Sequence, residues 1–342
     1  MRLRNVVPAF MVAGAPALLP AQPSYLDLTV DNVGIAIGDA PRVTGLRINF
    51  RDRYLERVDG VNITVWTPYE GSQGTVNGIA IGLPATGARR IHGLAVGIAG
   101  VGAEERLRGL TIAPIGAGAG EELSGIVIAG LGAGTGGRFT GIAIAGLGAG
   151  GGGDMRGAFF GGLGVGTGGK LTGLAIGGLG AGAGEGVDGV TIAGLGVGSG
   201  GRVRGLNIAG LGIGAGGGVS GISIAGIGIG AGNTVSGLSI AGVGVGAPRL
   251  SGIVIAGIGA GTVDFSGGAI APFYFRIEKG GSMRGVSVSS FNRLSGVQHG
   301  LTIGILNIAE ELRGVQIGLI NIARSNPPGT RVLPLFNKDF SR

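Results

Sequence analysis

Between residues 93 and 236 one pattern of large apolar residues and glycines repeats nine times with a strict period of 16, approximately G-[LIV]-x-[IV]-A-G-[LI]-G-x-G-x-G-G-x-[LVFM]-x. Numbering each unit from its leading glycine, positions 2, 4, 7 and 15 are large and apolar in nearly every copy, as in Ile126, Ile128, Leu131 and Phe139. The alternation between 2 and 4, and again between 7 and 9, has the period of a β-strand. Positions 4 and 7 are an odd step apart, so a straight strand would turn them to opposite faces. A corner at positions 5 and 6, usually Ala-Gly and once Ala113-Pro114, is expected to bring both pairs inward, and a second corner at the leading glycine does the same for position 15. The pattern therefore predicts positions 2, 4, 7 and 15 as the core of a short coil that repeats by stacking.

Charge follows the same period. Across the nine units no Asp, Glu, Lys or Arg occupies positions 1 to 11; residues such as Glu105, Glu122, Arg138, Asp154, Arg156, Lys170, Asp188, Arg202 and Arg204 all fall at 12 to 16. Stacked in register, they form one long charged edge. A single coil buries too little apolar surface to offset the ordering of its own backbone, so stability has to be shared along the stack.

Glycine contributes 82 of 342 residues, hydrophobic residues 44% and charged residues 13%. That is too apolar for a disordered linker, and a unit with six or seven glycines cannot be helical. Glycine does not recur every third residue with proline, so collagen is excluded. The unit starts extend outward from the regular region as Gly34, Gly45, Gly60 and Gly78 on one side and Gly237, Gly252, Gly267, Gly285, Gly300 and Gly314 on the other. These flanking units are 11 to 18 residues long and hold most of the aromatics, including Tyr25, Phe50, Tyr54, Trp66, Tyr69, Phe273, Tyr274 and Phe275. The organisation expected is a signal peptide at 1–21, an N-terminal cap with irregular coils at 22–92, a regular solenoid at 93–266 and a C-terminal cap at 267–342. Nineteen coils at about 4.8 Å each would make a rod of roughly 90 Å. The fold class is all-β, a glycine-rich β-solenoid; the alternative is a transmembrane β-barrel, because positions 1 to 10 match the about 9 to 11 residues of a membrane strand.

At the C-terminal end, GLTIGILNIAEELR from Gly300 and GVQIGLINIAR from Gly314 resemble the units of bacterial surface-repeat proteins, G-V-Q-[IL]-G-L-[IV]-N-[IV]-A, a family largely of unknown function. Gln316, Asn307 and Asn321 stand where that family has a polar ladder. The resemblance is close only over about residues 300–323; in the regular core Ala, Thr and Gly replace the Gln and Asn. It implies architecture and envelope location and brings no catalytic residues.

Arg2 and Arg4 precede an apolar stretch over residues 6–21 ending in small residues, the layout of a secretory signal cleaved after Ala21. The chain has no cysteine, which excludes a disulfide framework and a lipidated cysteine. The formal charge of +7 is scattered, with seven acids and seven Arg in residues 22–92, and aromatic interleaving is missing, so no nucleic-acid partner is expected.

The G-x-G-x-x-G matches, such as Gly132, Gly134 and Gly137, recur in every unit with no helix following, so they are not a dinucleotide site. Asp154, Asp188 and Asp264 are out of step with the repeat, unlike a calcium-binding array. His92 and His299 lie about thirteen units apart, and the Glu pairs at 104–105, 121–122 and 310–311 sit in polar turns beside arginines, as solvated edge charge does. No catalytic, cofactor or metal site is expected. What remains is a non-enzymatic cell-envelope or surface structural protein, exported to periplasm, outer membrane or cell surface. Its expected interaction edge is Arg138, Arg156, Lys170, Arg202 and Arg204, facing an anionic envelope polymer or outer-membrane component; the alternative function is an outer-membrane barrel or pore.

Overall fold

The computed structural model describes residues 25–68 and 73–340. The expected signal peptide at 1–21 and Tyr69 lie outside the described residues. Parallel coils stack into a β-solenoid of about 16 turns, with 76% of the described residues in strands and no helix among them; it is not a barrel. The parallel register decides the point, since barrel strands in a membrane alternate direction.

The leading glycines of the units form one unbroken ladder. Gly34 pairs with Gly45, Gly45 with Gly60, and the pairing continues through every unit start to Gly300. The outermost unit starts, Gly34 and Gly314, also pair antiparallel with capping strands. Each regular coil has an eight-residue strand, such as Arg138–Ala145, a turn at Gly146 and Leu147, and a four-residue strand, such as Gly148–Gly151. Each strand pairs in register with its equivalent 16 residues away, as Phe139 stands opposite Leu123 and Met155.

The inside of the coil differs from the expectation. Position 15 is inward, with Phe139 fully buried, but positions 2, 4 and 7 face outward: Ile142 is 40%, Ile144 49% and Leu147 48% exposed. Positions 3, 5, 9 and 11 fill the interior instead, as Val127, Ala129, Ala133 and Thr135 do. Strand alternation runs on through the leading glycine, so 15, 3 and 5 share one side. The glycine corners close the coil tightly around a narrow interior, which in most coils holds one large side chain at position 15 with smaller residues such as Ala, Val, Thr or Ser around it. Where position 3 is large, its neighbours adapt: Phe159 meets Phe139 edge-on with ring centroids 5.0 Å apart.

The outward apolar residues form ladders of their own. At position 7 the N–H of Leu147 donates to the carbonyl of Leu131 at 2.7 Å, and the series runs from Ile115 through Leu163, Leu179, Leu195, Leu211, Ile227, Val243, Ile258 and Phe273 to Phe291. The rod thus carries an apolar strip at positions 2, 4 and 7, a side-chain-free glycine strip at 8 and 10, and a polar strip at 14 and 16.

Both ends are closed by antiparallel strands. At the N-terminus Tyr25–Val30 pairs with Val33–Gly38 through a two-residue turn in which Asp31 and Asn32 have positive φ. At the C-terminus Val332–Asp339 folds back on residues 314–322. Buried polar stacks sit inside both ends, as described below.

Candidate functional site

Positions 14 and 16 flank an inward side chain, so their own side chains leave the rod on one side. In successive coils position 14 carries Arg90, Arg106, Glu122, Arg138, then Asp154, Lys170, Gly186 and Arg202. Position 16 carries Thr140, Arg156, Thr172, Asp188 and Arg204 in direct register. The five expected edge residues, Arg138, Arg156, Lys170, Arg202 and Arg204, are all exposed and all lie on this strip. They do not form rows of like charge: Asp154 and Asp188 come between them, and Glu122 stands next to Arg138 in the preceding coil.

Two parts of the strip differ in pairing. Toward the N-terminus, charges cancel between coils. Arg90 Nε lies 2.7 Å from Glu105, whose other oxygen receives Arg89 at 2.5 Å, and Arg108 donates to Glu122 at 2.8 Å. These guanidinium hydrogen bonds hold the Glu105 and Glu122 carboxyls below the usual carboxylate range. The Lys170 backbone N–H, with the Arg156 and Lys170 charges, does the same for Asp154. Arg156 itself reaches Asp154 at 3.4 Å. Farther along, Lys170, Asp188, Arg202 and Arg204 line a shallow groove with Asn233 and the glycines at 186, 201 and 217. At Gly201 a Cβ would collide with the Glu185 carbonyl oxygen of the preceding coil, so that corner requires glycine.

His92 stands at position 16, half-buried, with Nδ1 3.1 Å from the Asn77 side-chain oxygen. Burial first, then repulsion from Arg108, Arg90 and Arg106, pushes its pKa down, so the imidazole is neutral at neutral pH. Each acidic pair places at least one carboxylate in an ion pair: beyond Glu105 and Glu122, Glu310 meets Arg324 at 3.0 Å and Glu311 meets Arg313 at 2.6 Å. Asp264 accepts from the backbone and hydroxyl of Ser282 at 3.1 and 2.9 Å. Among the described residues no three His, Asp or Glu side chains converge as metal ligands would.

Two buried polar networks fill the interior of the end coils. At the N-terminal end Arg47, fully buried, donates to the Ala40 carbonyl at 2.8 Å, to Asn62 at 2.9 Å and to buried Asp52, with Asp39 3.6 Å away. Asn49 and Thr64 complete the cage, Thr64 donating to Asp52 at 2.5 Å. The repeat pattern does not reveal this network, because it turns position 3 outward; an Arg at a position held mostly by small residues is the available signal. At the C-terminal end Asn292 donates to Asn307 at 2.8 Å and Asn307 to Asn321 at 2.7 Å, while Gln316 donates to Gln298 at 3.1 Å. Asn307, Asn321 and Gln316, singled out by the repeat resemblance, thus stack inside the rod and are structural in this position.

No family model, no curated protein and no solved structure matches this chain.

Proposed function

We propose that this chain is a non-enzymatic rod of the cell envelope, exported by its N-terminal segment, that works as a structural and interaction surface. The observation that carries the reading is the register. It lines up side chains of one kind every 4.8 Å or so along the molecule, which suits an extended partner better than a small substrate. The partner class is an anionic envelope polymer, met by Arg138, Arg156, Lys170, Arg202 and Arg204. In support, Lys170, Arg202 and Arg204 protrude into one groove, whereas the acids nearer the N-terminus are already neutralised by cross-coil arginines. The C-terminal units that resemble bacterial surface repeats point to the same location.

Replacing those five basic residues with Ser is expected to leave the circular-dichroism spectrum unchanged and to weaken envelope association at low salt, with little further loss at high salt. Association equally strong in the variant at both ionic strengths would remove the strip as the contact surface. Cell fractionation with protease shaving of intact cells tests the location, and recovery of the intact chain from the cytoplasm would remove the envelope reading.

A further inference from the structure

Among the described residues nothing covers the apolar strip. We propose that it is the interface of a homodimer in which two rods lie face to face and antiparallel.

Three observations carry this. First, the strip is continuous and of the right size. From Ile115 to Phe291 the position-7 ladder crosses twelve coils. At about 4.8 Å per coil and about 15 Å across positions 2 to 7 it offers roughly 850 Å² per copy, so two copies would bury about 1,700 Å², the size of a standard stable interface. Its outward residues, among them Ile126, Ile128, Ile142, Ile144, Ile222 and Ile224, are apolar throughout.

Second, one stretch of the outer face is apolar with no charge beside it. Residues 205–248 contain no Asp, Glu, Lys or Arg. Ile222 and Ile224 point outward there, while Ile213, Val219, Ile229 and Val235 fill the interior beside buried Asn207, Ser223 and Ser239. A long charge-free apolar surface suits contact with another protein surface.

Third, the polar strip beside it has mixed sign, which favours a copy of itself over an anionic membrane. A two-fold axis lying between the faces and perpendicular to the rods keeps the two polar strips on the same side and runs them in opposite directions. If that axis passes between the coils starting at Gly173 and Gly189, Glu185 and Asp188 of each copy lie beside Arg202 and Arg204 of the other. An anionic lipid surface would instead meet Glu122, Asp154 and Asp188 as well as the arginines. The glycine strip on the other flank has none of the aromatic side chains that mark a membrane boundary.

The test is light scattering after size exclusion on the mature chain at tens of micromolar, together with sedimentation with phosphatidylglycerol vesicles. The expected mass is twice that of one chain, with no vesicle binding. Ile142→Lys, Ile144→Lys and Ile224→Lys combined should give a monomer with an unchanged circular-dichroism spectrum. Should the lysine variant misfold, Thr at the same three positions keeps β-branching and should raise the dimer Kd at least tenfold. A wild-type monomer, a monomer that sediments with vesicles, or a folded Thr or Lys variant that dimerises as well as wild type would each overturn the proposal.

Discussion

The glycines do different jobs at different positions of the unit. At position 1, Gly141 has φ of +127°, and a Cβ there would collide with the carbonyl oxygen of Gly125 in the preceding coil. At position 10, Gly134 has room: its Cβ would lie 3.6 Å from the Gly150 carbonyl oxygen, ordinary contact. Gly141→Ala should therefore destabilise by more than about 1 kcal/mol through backbone strain, whereas Gly134→Ala should be neutral or stabilise by up to about 1 kcal/mol through the unfolded chain. Denaturant midpoints of the two variants check this, and equal effects would contradict it. The titrating groups of the polar strip set a second expectation. Asp59, Glu105, Glu122 and Asp154 have lowered pKa values in the fold, so the stability they contribute is present above the ordinary carboxylate range and is lost as pH falls through it. His92 is also lowered, from 6.5, so the unfolded state takes up its proton first and stability starts to decline as pH drops below that value. Denaturation midpoints should fall in two stages, and His92→Asn should remove the upper one selectively. An unchanged upper stage in that variant would show that His92 does not supply it.

One coil is the element of this fold, and its length was plain in the sequence while its sidedness was not. The 16-residue period, the unit starts from Gly34 to Gly314 and the confinement of charge to one side all follow from spacing, and the glycine ladder keeps that spacing. Size is a poor guide to the inward face here: Ile142 and Leu147 are large and face out, while Ala143 and Ala149 are small and face in. In an ordinary sheet packed on a wide core the large residues would win the interior. Here glycine at the corners leaves a narrow interior in which position 15 takes Phe, Leu, Met or Val in the regular coils, and positions 3 and 9 take a large residue only in some coils, as at Phe159, Ile213 and Ile229. Removing residues 173–188 deletes one whole coil, so Gly157 can pair with Gly189 and the rod should shorten and stay folded. Removing residues 173–180 leaves half a coil and throws the next strand out of register, which should cost the fold its cooperativity. Thermal melting followed by circular dichroism separates the two, and equal tolerance would contradict the one-coil unit.

For the molecule as a whole, the spacing conveyed an elongated rod with closed ends, and the structure adds the means of closure: antiparallel capping strands, the Arg47–Asp52 cage and the Asn292–Asn307–Asn321 stack. Linear spacing identified the members of the polar strip correctly, Arg138 through Arg204, because they sit at fixed positions of the unit. It did not convey their surroundings, since the acidic Glu122, Asp154 and Asp188 become neighbours only through stacking. The central claim is that sequence distance converts into length along one axis at a constant rate. Position 16 gives a set of exposed or half-exposed reporters in direct register from Thr140 through Arg204 and Ser236 to Ser266, four, six and eight coils away. The chain has no cysteine of its own, so paired cysteines can be spin-labelled without background. With one label at Thr140→Cys and the other at Arg204→Cys, Ser236→Cys or Ser266→Cys, and each doubly labelled chain diluted in excess unlabelled chain, electron–electron resonance should give backbone separations of about 19, 29 and 38 Å, increasing by about 4.8 Å per coil. Separations that level off, alternate or scatter with coil number would contradict the parallel stack.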